Sequence, residues 1–86
     1  MDSYAVELKP SARNELESLP KTALARVIAK IESLALDPRP AGCKKLKGYK
    51  DLWRVRIGDW RIVYIIDDAA RSVSVTRVAH RSKVYD

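Results

Sequence analysis

The sequence has one cysteine and one histidine among its 86 residues. A lone cysteine, Cys43, excludes an intrachain disulfide, and one Cys with one His excludes the usual zinc ligand sets. Cys43 therefore reads as a bystander thiol. No apolar run approaches the roughly 20 residues needed to span a bilayer, and Met1-Asp2-Ser3 lacks the basic and apolar regions of a signal peptide. The chain is expected to be cytosolic, with no membrane contact. It has no glycine-rich phosphate loop and no Ser/His/Asp constellation. Asp51, Asp59, Asp67 and Asp68 fall in turns or at strand ends, so the clustered carboxylates of a two-metal nuclease are missing.

What is present is an ordinary globular balance, 47% apolar and 33% charged, in a chain of single-domain size. A domain this small buries only roughly 60% of the surface its unfolded chain exposes, so the core is thin. The formal charge is +6 and it is unevenly placed. Residues 1–43 hold six basic and six acidic groups, whereas residues 44–86 hold eleven basic against five acidic. The excess in the second half points to a polyanion or an acidic protein partner.

Tyr4–Leu8 alternates and stops at Lys9-Pro10, which predicts a short strand. Ser11 offers an N-cap for a helix carrying Ala12, Leu16 and Leu19, with Arg13 and Glu17 as an outward i,i+4 pair. Pro20 breaks that helix. A second one follows from Lys21, with Leu24, Val27, Ile28, Ile31, Leu34 and Ala35 as its apolar stripe. After the loop Asp37–Gly42, three strands are expected at Leu52–Ile57, Trp60–Asp67 and about Ser72–His80. The order β-α-α-β-β-β gives an α+β fold, a small antiparallel-rich sheet packed on a two-helix hairpin.

Gly58-Asp59 is a two-residue turn of the kind that closes a hairpin. It would pair Ile57 with Trp60, Arg56 with Arg61, Val55 with Ile62, Arg54 with Val63 and Trp53 with Tyr64. With period-two alternation, Trp53, Val55, Ile57, Trp60, Ile62, Tyr64 and Ile66 form the core face. The opposite, open face carries Leu52, Arg54, Arg56, Arg61, Val63 and Ile65. Opposed like charges cost up to about 1 kcal/mol, so a face that binds phosphate explains the arginines better than stability does. The alternative is a solvated face where Arg56 and Arg61 splay apart, or pair with Asp51 or Asp59. Toward the C-terminus, Arg77, His80, Arg81, Lys83 and Tyr85 crowd together. His80 suits proton transfer, Tyr85 can stack on a base, and Arg77, sharing strand parity with Val73 and Val75, can equally serve structure. RNA brings its own nucleophile, the 2′-OH, so cations, a proton acceptor and donor and a base-orienting group are enough for cleavage without metal or other cofactor.

Lys45-Leu46-Lys47-Gly48, Trp53-Arg54-Val55-Arg56-Ile57, Trp60-Arg61-Ile62-Val63-Tyr64 and His80-Arg81-Ser82-Lys83-Val84-Tyr85 together resemble the RelE branch of the RelE/ParE toxin superfamily. The resemblance spans nearly the whole chain and implies one toxin domain over residues 1–86. It implies a type II toxin that cuts messenger RNA in the ribosomal A site and is silenced by a cognate RelB-like antitoxin, the pair binding operator DNA through the antitoxin. By matching motif positions, the resemblance implies site residues at Arg54, Arg56, Arg61, Arg81 and Tyr85. Lys45 and Lys47 would hold ribosomal RNA, with Lys44 and Lys83 beside them. Some members have lysines where this chain has Arg54 and Arg56. Arginine is a poor proton acceptor, so His80 or Tyr85 is the expected substitute. The resemblance equally admits a ParE-like inhibitor of DNA gyrase, or an inactive member that only binds its antitoxin.

Overall fold

Proline sets the boundaries at the front of the chain. In the computed structural model, which describes residues 3–84, β1 (Ala5–Leu8) leads into α1 (Pro10–Glu17) and α2 (Lys21–Ser33). Lys9 is extended (φ −68°, ψ 154°), as a residue before proline must be, and Pro10 opens the helix where a missing N–H costs nothing. Ser11 is therefore inside α1 and does not cap it. Its Oγ donates instead to the Thr76 carbonyl, at 3.0 Å. Pro20 sits one place earlier relative to its helix, as the N-cap of α2, and the two helices form the expected hairpin.

The rest of the chain adds β2 (Lys44–Lys45), β3 (Leu52–Ile57), β4 (Trp60–Asp67), β5 (Ser72–His80) and one 3₁₀ turn, Arg81–Lys83. The last three strands fall where the sequence places them. β2 is an addition to the expected order, and its two lysines carry no apolar alternation to reveal it. The sheet order is β1-β5-β4-β3-β2, with β1 parallel to β5 and every other pair antiparallel.

Both helices lie on one face of the sheet. Ala12, Leu16, Val27, Ile31 and Leu34 meet Val55, Ile62, Tyr64, Ile66, Val73, Val75 and Val78, while Trp53, Ile57 and Trp60 pack at the margin. The expected core face is thus the observed one. Ile28, from the same helical stripe, is left 38% exposed. The buried Tyr64 hydroxyl donates to the Pro38 carbonyl at 2.8 Å, and burial raises its pKa. That bond anchors the loop after α2. A second anchor is Arg39, whose two Nη atoms reach both carboxylate oxygens of Asp68 at 3.2 and 2.9 Å. The same guanidinium stacks 5.0 Å from the Trp53 ring, and Tyr4 donates to Asp68 at 2.6 Å.

One irregularity matters for the site. Between Val63 and Tyr64 the β4–β5 register shifts, so Val63 faces Arg77 and Tyr64 faces Val75, leaving Thr76 as an extra residue. Thr76 Oγ1 donates to the Val63 carbonyl at 3.2 Å, where the ladder is broken. The bulge moves Val78 and His80 onto the helix-packed face and Arg77 off it. Arg77 therefore does not share the face of Val73 and Val75, contrary to simple alternation.

Candidate nucleic-acid interface

The turn Gly58-Asp59 fixes which side chains share a face. Gly58 adopts φ +59°, and a Cβ there would lie 3.2 Å from Nη1 of Arg26, so the position favours glycine. The observed register is the expected one, with Arg56 opposite Arg61 and Arg54 opposite Val63. β2 extends it by setting Lys44 opposite Arg54. Two like-charged pairs are thus directly opposed on one face, each disfavoured by up to about 1 kcal/mol.

That face is not the open surface the alternation suggests. Arg54 is 3% exposed and Arg61 6%, while Val63 and Ala79 on the same face are each 5% exposed. Alternation gives the side a residue points to, not what lies over it. Long arginine stems also bury their methylenes along apolar neighbours. Arg61 Nη1 curls back to the carbonyls of Gly58 and Trp60, at 3.1 Å each, and so braces the turn. Arg56 is exposed, as are Lys44, Lys45, Lys47, Arg81 and Lys83. The accessible charge of the site therefore rims a buried pair of guanidinium groups.

Arg81 joins the same end of the sheet. Its N–H donates to the Asp59 carbonyl at 2.8 Å, and its Nε lies 3.7 Å from Asp59 Oδ1. Asp59 thus serves Arg81. His80 does not join the arginines. It stands opposite Trp60 on the helix side, with the two rings edge to face at 5.5 Å. Its Nδ1 accepts the Ser82 N–H at 3.2 Å. Arg77 binds Glu15 of α1 at 3.3 Å, and Glu15 also accepts from the N–H of Val78 at 2.9 Å, so Arg77 is a structural tie. Lys45 lies opposite Trp53, on the other face from Lys44. Tyr85 lies outside the described residues. Among those described, no three His, Cys, Asp or Glu side chains gather into a metal-binding group. The roles of Asp59, Ser82 and Glu15 were not legible in the sequence, because each depends on a partner brought close by strand pairing or by helix–strand packing.

A family model described as the ParE toxin of the type II toxin–antitoxin system parDE matches residues 6–85. The chain belongs to that toxin family. Among curated members, it is 31% identical to toxin RelG of Mycobacterium tuberculosis over 83 residues, covering 95% of each chain. It is 34% identical to toxin RelE of the same organism, covering 95% of this chain and 86% of the other. Among solved structures, a chain of the toxin–antitoxin complex RelBE2 from M. tuberculosis superposes with a TM-score of 0.81 at 32% identity, covering 92% of this chain and 99% of that one. The archaeal RelE–RelB complex from Pyrococcus horikoshii OT3 gives a TM-score of 0.82 at 27% identity, covering 98% and 100%. The protein is therefore a RelE-like toxin of a type II system, and the family resemblance carried by its strand and tail motifs holds. No helix among the described residues of this toxin is long and apolar enough to cross a membrane.

Proposed function

We propose that this toxin cleaves messenger RNA in the A site of the ribosome, in the cytoplasm, and that its single domain suffices for the reaction. The observation that carries the reading is the two pairs of opposed cations on one sheet face, Lys44 with Arg54 and Arg56 with Arg61. A polyanionic ligand laid on this face would offset the repulsion within each pair. In the reaction, the 2′-oxygen of the substrate attacks the adjacent phosphorus and the 5′-oxygen leaves, so the protein must steady phosphate charge and move a proton. Arg56 and Arg81 contact the phosphate, and Arg54 and Arg61 lie behind them and strengthen the local field. Lys44, Lys45, Lys47 and Lys83 hold ribosomal RNA. Tyr85 stacks on the substrate or passes the proton.

The solved RelE–RelB complexes support a RelB-like antitoxin as partner. Binding of operator DNA by the pair, through the antitoxin, is part of the same proposal. The name of the matching family model favours one other reading, a ParE-like poison of DNA gyrase acting by protein contact. Primer extension on messenger RNA with and without ribosomes separates them. Cleavage is expected only with ribosomes, falling about a hundred-fold in Arg81→Ala. Normal cleavage by that variant overturns the site, and stalled gyrase with intact translation supports the second reading.

A further inference from the structure

We propose that His80 is a positioning residue for Arg81: its Nδ1 caps the 3₁₀ turn at Ser82 and holds Arg81 against the hairpin turn. The inference rests on the cleavage reading above. Three observations carry it. First, Nδ1 accepts from the backbone N–H of Ser82 at 3.2 Å and lies 3.0 Å from Ser82 Oγ. This is the bond an Asn or Asp side chain makes at a helix N-cap, and His80 is the extended residue (φ −66°, ψ 147°) that opens the turn. Second, Trp60 fixes the ring plane by its edge-to-face contact, so the Nδ1 lone pair is aimed before any ligand arrives. Third, the residue between the cap and the N–H it accepts is Arg81, whose own N–H and guanidinium both meet Asp59.

The same geometry argues against His80 as the base that takes the 2′-proton. The acceptor nitrogen is occupied, which leaves the ring proton on Nε2. The ring also lies on the helix side, whereas Arg54, Arg56 and Arg61 point to the other face. A group on the wrong side of a sheet positions its neighbour through the backbone.

Two measurements test this in the full chain. Long-range ¹H–¹⁵N spectra of the neutral imidazole should show the proton on Nε2; a proton on Nδ1 overturns the cap. In the ribosome cleavage assay, His80→Ala should lower the rate about five-fold, the scale of a lost cap, and His80→Asn should restore most of it. In an Arg81→Ala background, the His80→Ala loss should vanish. An Asn variant as impaired as the Ala variant, with an unchanged melting temperature, overturns the proposal and returns His80 to proton transfer. If the wild-type toxin cleaves nothing, the cleavage reading has failed, and the spectra still decide the cap.

Discussion

Arg54 and Arg56 stand two residues apart on β3 and face the same way, yet their substitution should separate them. Arg54 is 3% exposed and Arg56 is exposed. Truncating a buried guanidinium removes packing and strands its partners, so Arg54→Ala is expected to cost about 2–4 kcal/mol in urea unfolding. Arg56→Thr removes a cation directly opposite Arg61 and substitutes a good strand former. Stability should rise by about 0.5 kcal/mol, while ribosome-dependent cleavage falls. A drop in stability for Arg56→Thr would mean that Arg56 holds structure. That the two arginines share a face is readable from period-two alternation. That one is covered and the other is not depends on what packs above the strand, which alternation does not encode.

Elements show where local pattern suffices and where it fails. The strands Leu52–Ile57, Trp60–Asp67 and Ser72–His80 are legible because each alternates between clear turn signals. The helical hairpin is legible because Pro10 and Pro20 punctuate it. Ser11 does not cap α1, because Pro10 already occupies the first helical position. Nearness in sequence groups His80 with Arg77 and Arg81, but the extra residue Thr76 shifts the strand parity and sets His80 on the helix-packed face. The spacing Val73, Val75, Val78 carries the trace of it. The turn joining β3 to β4 gives an element-scale test: Gly58→Ala must force φ +59° on a residue with a Cβ and move Arg26, at an expected cost of about 1–2 kcal/mol. The loop after α2 gives another. Hydrogen bonds from Arg39, and then from Tyr4, lower the Asp68 pKa from 3.8 to about 2. A carboxyl acidified by folding contributes stability above its unfolded pKa and loses it as pH falls through the folded one. The melting-temperature gap between wild type and Asp68→Asn should therefore be full at pH 5 and close between about pH 4 and pH 2. A gap independent of pH would show that the Arg39 contact contributes nothing through charge.

At the scale of the whole molecule, charge divides along the chain. Residues 1–43, which form β1 and both helices, are formally neutral, and residues 44–86, which form β2 to β5 and the tail, carry the entire +6. The excess lies in the sheet half, where it can follow a nucleic-acid backbone, while the helical half contributes mainly core. Such an interface must release counterions on binding, at a slope of about 0.7 per phosphate contact for single-stranded RNA. The exposed lysines of β2 and the loop beyond it are the best-placed contributors away from the arginine pair. Replacing Lys44, Lys45 and Lys47 together by glutamine should flatten the plot of log affinity against log salt by about two. The ribosome association of the free toxin, measured by filter binding from 50 to 200 mM salt, supplies that plot. Lys9→Gln is the control, because Lys9 sits beyond β1 and is paired with Glu7 at 3.3 Å. Its slope should match wild type. Flattening by about 0.7 in Lys9→Gln, the same per charge as in the triple variant, would mean that the protein's net charge, not the placement of cations on the sheet, governs binding, and the lysines would then lose their assigned role.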